Sequence, residues 1–452
     1  MQYSLFSAEC GYGLEWYKFK KSTWGKLQET LPLAELSALL PPLSALGNTP
    51  YFDNYGMVAL LFLKHQLGVS DEKLIEHLNH NVSLQLFCGL GLGKKLIRDT
   101  GIVSRIRSYL GKHLNVHQFQ DILVKNCHSE LSDTHFLKMD ATCFESYIRY
   151  PTDVQLLWDC CEWVYQKQLF VLRKSIKTPL GKEKERFDVQ RRKYLIYSKL
   201  RRKSYKKTKK RKKSLLNLLK RGISALQVLL NQHFKSDLSS KFYTYFKTIK
   251  TIYRQQKYLY DHPEKKVKGR IVSLHKPYIR PIKRGKMNKP TEFGAKVHMM
   301  QVDGINVIEH LSFEAFNECK RLKTSVIKHK HCFGECHQLS ADRIYPTNEN
   351  RRFCTREKIF TNFIPKGRKS AHYKASQTLK NALNKDRATR LEGSFGNVKN
   401  HYGLAKVKAR TQPTEIIWIY FGVWTANAMQ LVKKRQKEKP NNQKNSYQKF
   451  LF

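Results

Sequence analysis

A run of positive charge near the middle of the chain limits its fold more than any other feature. Between Arg191 and Lys213, 14 of 23 residues are lysine or arginine and none is acidic. Such a segment cannot form the inside of a domain, because burying unpaired charge is strongly unfavourable. The apolar spacing of LLNLLKRGISALQVLLNQHF, which follows it, is typical of a helix. We therefore expect a helical insertion with a cationic face rather than a separate core-forming fold.

The whole chain shares this charge imbalance. Its 452 residues include 84 lysines and arginines but only 36 aspartates and glutamates, so its formal net charge is +48. Nucleic acid is the first partner that such a charge indicates, and an acidic membrane surface is the second. The hydrophobic fraction of 41% is enough to build a core, which excludes wholesale disorder.

Neither a membrane span nor a secretion signal is predicted. The most apolar stretch, 416–432, contains Thr425, Asn427 and Gln430, and it therefore suits a buried helix better than a lipid-facing one. The amino terminus lacks a basic region followed by an apolar one. Ten irregularly spaced cysteines do not form a disulfide scaffold, so we expect a reducing, cytoplasmic location.

Local signals mark several elements. Gly68 followed by Ser70 predicts that one helix ends and another begins. Asp303 and Gly304, between two alternating apolar runs, predict a β-hairpin, and Thr347 predicts the start of a short helix. Strands separated by helices, with a helical carboxyl-terminal region, favour an α/β layer interrupted by an inserted domain.

Three acidic residues stand out because acids are scarce in this chain. Asp140 lies within a strand predicted in 136–150, Asp342 at the end of another strand, and Glu392 beside the apolar face of a helix predicted over 387–402. Neighbouring carboxylates repel each other unless a cation neutralises them, and three of them suit Mg²⁺ or Mn²⁺. A lone strand carboxylate is also often an ordinary ion-pair partner. Residue types and spacing alone leave both interpretations open.

A second possible metal site is the segment HKHCFGECH, at 329–337. It groups His329, His331, Cys332, Cys336 and His337. The intervals between them are not those of a standard zinc site, so zinc is not expected there.

Four segments, in order along the chain, are similar to the sequence blocks of bacterial insertion-sequence transposases of the DDE type. They are KMDATCFESYIRYPTDVQLL, RIVSLHKPYIRPIKRGKMNKPTEFGAKV, ADRIYPTNENRRFC and RLEGSFGNVKNHYGLAKVKAR. Residues 51–90 resemble the InsH-type helical amino-terminal domain of the same transposases. The resemblance covers most of residues 50–435 and implies a ribonuclease-H-like α/β fold. In that fold a mixed sheet is flanked by helices, and here it is interrupted by the basic helical insertion and preceded by an all-helical domain.

The resemblance also implies a division into domains. The expected segments are an amino-terminal arm at 1–50, a helical DNA-binding domain at 51–130, a catalytic domain at 131–165 and 266–435, the basic insertion at 166–265, and a polar tail at 436–452.

Asp140, Asp342 of ADRIY and Glu392 of RLEGSF match the three catalytic acids of the family. The resemblance implies that they are also the ligands of the metal, Mg²⁺ or Mn²⁺, with two ions expected. Two such ions clamp the attacking and leaving oxygens of a phosphodiester displacement.

Related elements carry a Tyr-Arg-Glu-Lys signature around the glutamate. Lys399, seven residues after the glutamate, fits it. The arginine expected four residues before the glutamate is Ala388, and the tyrosine position is Lys385. Arg390 and Arg387 are the nearest substitutes, and we expect Arg390 and Lys399 to contact DNA phosphates.

The basic run is also expected to contact DNA phosphates. The alternative is that its charged side chains contact only solvent. The side chains concerned are Arg201, Arg202, Lys203, Lys209, Lys210 and Arg211. Tyr194, Tyr197 and Tyr205, interleaved with them, could stack on unpaired bases, but packing between helices is favoured.

The activity implied by the resemblance is metal-dependent cleavage at the element ends, after which the freed 3′-OH attacks target DNA. The expected partners are double-stranded DNA, as terminal inverted repeats and target, and a second copy of the chain on DNA. The expected location is the cytoplasm, in association with the nucleoid. The alternatives are a non-catalytic DNA-binding protein derived from a transposase and an RNA-binding structural protein. The intact acidic triplet favours the enzyme.

Overall fold

The architecture is that of a computed structural model, which describes residues 13–43, 50–90, 96–174, 181–233, 238–283, 290–366 and 373–448. The chain forms two compact units. The first unit comprises Met1–Tyr147, Ala295–Ser312 and Phe316–Phe452, and the second comprises Ile148–Gly294 and Phe313–Ala315. One nearly continuous stretch of the chain thus supplies the second unit.

Helices fill the amino-terminal part of the first unit. They are α1 (Gly13–Lys21), α2 (Thr23–Thr30), α3 (Leu33–Ala38), α4 (Asn54–Leu67), α5 (Asp71–His80), α6 (Val82–Phe87), α7 (Ile102–His113) and α8 (Val116–Cys127). As predicted, Gly68 ends α4 in the left-handed conformation, with φ of 65°, and the Ser70 side chain caps α5. Every residue of α4 from Met57 to His65 is buried, as expected for a helix that is central to its unit.

The strands are β1 (Phe136–Glu145), β2 (Pro281–Lys283), β3 (Thr291–Val302), β4 (Ile305–Ser312), β5 (Gln338–Ser340) and β6 (Phe360–Thr361). They form a mixed sheet in which β1 lies between β3 and β5. β1 pairs in parallel with β5, and β5 pairs in parallel with β6. β3 pairs antiparallel with β2 and with β4. Asp303 and Gly304, both at positive φ, connect β3 to β4, which confirms the predicted hairpin.

The second unit is built on α9 (Asp153–Lys174), α10 (Gly181–Lys199), α11 (Tyr205–His233) and α12 (Ser240–Asp261). The expectation that this region has no core of its own is wrong. Trp158, Leu219 and Ile249, on three different helices, belong to one buried apolar cluster within the unit. The reason is that apolar residues at helical spacing follow the basic run and pack against α9, while the basic residues stay at the surface.

Several helices of the first unit follow β4 in the chain. They are α13 (Leu322–Phe333), α14 (Asn348–Arg356), α15 (Tyr373–Asp386) and α16 (Glu392–His401). The Thr347 side chain caps α14, as predicted. Met139 of β1, Val302 of β3 and Leu322 of α13 share a buried core that supports the centre of the sheet.

The last helix, α17 (Gln412–Gln448), contains the most apolar stretch of the sequence, and it is buried in the first unit as predicted. The ring of Trp424 stacks on Phe119 with centroids 4.3 Å apart, and Phe421 contacts Phe62 at 5.1 Å. In the part of the chain that the structure describes, no helix is both long and apolar enough to cross a bilayer. The helix also continues through much of the segment expected to be a polar tail.

Candidate active site

β1 places Asp140 at the centre of the sheet. The strand is buried along most of its length, and the Asp140 side chain is only 17% exposed. Its Oδ1 accepts a hydrogen bond of 2.7 Å from the backbone N–H of Ala141. Burial raises the pKa of Asp140 to about 6, although that hydrogen bond and the charge of Arg387 oppose the rise. Any further positive charge at this position would favour the carboxylate form.

Asp342 follows β5, and a buried tyrosine anchors its loop. The hydroxyl of Tyr345 lies 2.9 Å from Nε2 of His298 in β3. Nδ1 of His298 lies 3.1 Å from Glu309 in β4, which also pairs with Arg321. Burial opposes ionisation of Glu309, but hydrogen bonds from His298 and Arg321 outweigh it and hold its pKa below the usual range. This network fixes the loop while leaving the Asp342 side chain half exposed.

The helical segment that carries Glu392 contains a π turn. Residues Arg387–Leu391 form this turn between α15 and α16. Because π-helical hydrogen bonds join residues five apart, positions 387 and 392 come to the same side of the helix. Lys138 of β1, which is 2% exposed, forms an ion pair with Asp386 directly before the turn. The ion pair ties the π turn to the central strand.

The structure brings the three predicted acids together around one guanidinium. Nη1 of Arg387 lies 2.8 Å from Oδ2 of Asp140 and 3.3 Å from Oε1 of Glu392, and Nη2 lies 3.7 Å from Oδ1 of Asp342. The Arg387 side chain is only 12% exposed, whereas Asp342 and Glu392 are about half exposed. Acids that are distributed over more than 250 residues of the chain thus share one cation.

The donor atoms of this cluster suit a hard divalent cation. Among the described residues, no three carboxylates, imidazoles or thiols are already arranged to hold an ion, and a guanidinium lies among the three acids instead. All three side chains offer carboxylate oxygen, which Mg²⁺ and Mn²⁺ prefer. The chemistry of the donor atoms therefore matches that of such an ion.

We expect Asp140→Asn to stabilise the metal-free protein at neutral pH, because Arg387 keeps Asp342 and Glu392 as counter-charges. Because burial raises the folded-state pKa to about 6, the contribution of Asp140 to stability is fully present below about pH 4 and is lost as the pH rises through 6. The difference from an exposed aspartate corresponds to at most about 3 kcal/mol. Urea unfolding in EDTA should show the variant more stable than the parent at pH 8 but not at pH 4. A gain of equal size at both pH values would contradict this explanation.

The two predicted phosphate-binding residues near Glu392 have different surroundings. Arg390 is 59% exposed, and its Nε lies 2.9 Å from Asp386 rather than near the three acids. Lys399 of α16 lies over the ring of Phe144 in β1, with Nζ 5.8 Å from the centroid. Arg387, not Arg390, is the arginine that reaches the acids.

In the second unit, most of the predicted DNA-binding side chains are exposed. The exposed ones are Arg201, Arg202, Lys203, Lys209 and Lys210. Arg211 is partly buried and donates to Oε1 of Gln190 at 2.8 Å. Tyr194 stacks on Trp158 with centroids 4.6 Å apart, as helix packing predicts, whereas Tyr205 is 70% exposed.

The histidine–cysteine segment does not form a metal site among the described residues. Burial lowers the pKa of His329 to about 4 and raises the pKa of Cys336 to about 12. His331 is exposed, and the His337 ring stacks on His135 with centroids 4.4 Å apart. These side chains have separate environments.

The sequence does not predict Lys138, Asp386 or Tyr345 as parts of this site, and it indicates Arg387 only as a substitute for the arginine of the family signature. One signal was available, because Lys138 lies two residues before Asp140 in an apolar strand. A lysine in that position needs a counter-charge. The π turn that positions Arg387 has no comparable signal in the sequence.

Two known families match separate parts of the chain. Residues 14–109 match the family Transposase domain (DUF772), and residues 339–426 match the family Transposase DDE domain. The second range includes Asp342 and Glu392. No curated protein and no solved structure matches the chain. Both matches are to transposase families, which implies that the partner is DNA and supports an insertion-sequence transposase of the DDE type.

Proposed function

We propose that this transposase cleaves the phosphodiester at the ends of its element and transfers the freed 3′ ends into target DNA. The convergence of Asp140, Asp342 and Glu392 on Arg387 carries the proposal. These are the three acids that the family resemblance assigns to catalysis, and they come from a strand, a loop and a helix. Carboxylates gathered in so basic a chain argue for a site that binds cations.

We further propose that the catalytic core, at 131–165 and 266–435, is ribonuclease-H-like. The strand order supports this, since the central strand β1 has an antiparallel hairpin on one side and two parallel strands on the other. That order is the one expected for a ribonuclease-H-like sheet. The segment 51–130 would then bind element DNA, and the basic insertion 166–265 would contact its backbone.

Asp140, Asp342 and Glu392 would hold the divalent ions, Mg²⁺ or Mn²⁺. When bound, such ions stabilise charge on the attacking and leaving oxygens of the phosphodiester. Arg390 and Lys399 would hold the DNA backbone through charge-assisted hydrogen bonds to phosphate. Water and the 3′-OH are the nucleophiles, so no covalent protein–DNA intermediate and no activated side-chain nucleophile is required.

The two ends of the element must be held close together during transposition. We therefore propose that the chain acts as a homodimer on DNA, each copy holding one end, and that it works on the nucleoid in the cytoplasm. Sedimentation of the protein with and without element-end DNA would measure this change of state.

A cleavage assay with the full chain tests the proposed function. The substrate is a linear DNA carrying both ends of the element, defined by short inverted repeats in the genomic DNA that flanks the gene, and the control DNA has scrambled ends. With Mg²⁺ or Mn²⁺ we expect cleavage at the ends and joining to a target plasmid, and EDTA should abolish both.

Binding of the ends without cleavage would favour the non-catalytic DNA-binding alternative. Preference for structured RNA over end DNA in a competition assay would favour the RNA-binding alternative.

The exposed basic residues of the second unit should determine part of the salt dependence of DNA binding. Each phosphate neutralised adds about −0.9 to the slope of log K against log salt. The double variant Arg201→Gln/Arg202→Gln should therefore make the slope less steep by up to about 1.8. Fluorescence anisotropy at salt concentrations from about 50 to about 200 mM measures this slope.

The matched control for this experiment is Arg186→Gln/Lys257→Gln, in the same unit. Those two cations already pair with Glu183 at 2.8 Å and with Asp261 at 2.6 Å. If both double variants change the slope equally, the assigned DNA surface is wrong.

A further inference from the structure

The position of Arg387 is unusual for a proposed metal-binding site. Its guanidinium contacts all three acids, and Nη1 alone contacts both Asp140 and Glu392. A metal ion held by those two carboxylates would compete with the same nitrogen for the same oxygens. The guanidinium and the metal would therefore exclude each other.

We propose that Arg387 is a resident counter-ion of the metal-free site, which gathers the three carboxylates before metal binds, competes with the metal, and is displaced by it. This inference rests on the proposed metal-dependent function. Three carboxylates brought together without a cation repel one another strongly. The arginine thus allows the fold to form with the acids already assembled.

The local structure makes such a displacement feasible. Nε of Arg387 is buried and has no hydrogen-bond partner in the described part of the chain, so the guanidinium is held through its two terminal nitrogens. A groove of about 610 Å³ lies directly beside it. Lys380, Asn381 and Asn384 are among the residues that line this groove, together with Asp342 and Arg387. The side chain has space to move there without unfolding the π turn.

The displaced guanidinium would then be available to a DNA phosphate. Arginine and phosphate form strong, often bidentate, charge-assisted hydrogen bonds. A phosphodiester in the groove would replace the metal-bound carboxylates as the ion-pair partner of the arginine. Metal and DNA should therefore each strengthen the binding of the other, because coupling between two binding equilibria is reciprocal.

Direct metal binding tests the inference without relying on activity. Titration of the metal-free full chain with Mn²⁺, followed by electron paramagnetic resonance, measures the affinity. We expect Arg387→Gln to bind Mn²⁺ at least about tenfold more tightly than the parent, a difference of about 1.4 kcal/mol. Arg387→Lys should lie between them, because an ammonium cannot span all three carboxylates as a guanidinium does. Arg356→Gln is the matched control and should bind like the parent, because Arg356 is an exposed arginine of the same unit that pairs with Glu357.

The experiment separates the two ways in which the inference could fail. If Asp342→Asn weakens Mn²⁺ binding by the parent but Arg387→Gln and Arg387→Lys bind no more tightly than the parent, the counter-ion role is wrong and the metal site stands. If neither the parent nor the arginine variants show Mn²⁺ binding that depends on Asp342, the proposed metal-dependent function fails as well. Should Arg387→Gln not fold without metal, the Arg387→Lys comparison decides.

Discussion

Asp140→Asn, Asp342→Asn and Glu392→Gln are each expected to lower cleavage at the element ends by at least about 1,000-fold. Stabilisation of a phosphodiester displacement by metal ions contributes several kcal/mol, and each 1.4 kcal/mol is about tenfold in rate. The three acids act as one ligand set, so combining two of the substitutions should add little to either alone. Single-turnover cleavage of end DNA in Mg²⁺ measures these rates.

The matched control for these variants is Glu357→Gln. Glu357 is in the same unit, but it pairs with Lys330 at 3.1 Å and lies outside the cluster around Arg387. It should retain parental cleavage, and all four variants should still bind end DNA. If any of the three acid variants cleaves at the parental rate, that residue has been wrongly assigned to catalysis.

Asp386→Asn is expected to destabilise the first unit by about 3–5 kcal/mol, the usual cost of removing one partner from a buried ion pair. The Lys138 side chain is 2% exposed, and this substitution would leave its ammonium buried in β1 without that counter-charge. Because the same pair holds the π turn against β1, the spacing between Asp140 and Glu392 should also loosen, and cleavage should fall. Urea unfolding and the cleavage assay measure the two effects.

The double variant Lys138→Met/Asp386→Leu separates the charge effect from the packing effect. Replacing a buried pair with apolar residues of similar size is often nearly neutral, so the double variant should recover most of the lost stability. A stability of Asp386→Asn within about 0.5 kcal/mol of the parent would show that the pair does not hold the turn.

Local chemistry explains which features of the fold could be predicted. The Asp303–Gly304 hairpin, the Gly68 helix end and the Thr347 cap each depend on a few neighbouring residues, and the structure has all three. That Asp140, Asp342 and Glu392 would meet was an expectation from family resemblance. Their separate positions along the chain contain no information about distance in space.

The features that were missed depend on contacts between distant parts of the chain. Lys138 and Asp386 are 248 residues apart, and neither has a motif that points to the other. The core of the second unit was also missed, because the dense charge of the basic run obscured the apolar positions that pack against Trp158. Tertiary contacts, not local preference, determine both features.

The π turn changes which residue of the helix faces the carboxylates. In a regular α-helix, side chains four residues apart differ by about 40° around the axis, and those five apart differ by about 140°. Here Arg387, five positions before Glu392, nevertheless has Nη1 2.8 Å from Oδ2 of Asp140 and 3.3 Å from Oε1 of Glu392. In a regular α-helix the residue in that place would be the one four positions before the glutamate, which here is Ala388, so spacing along the sequence points to the wrong residue.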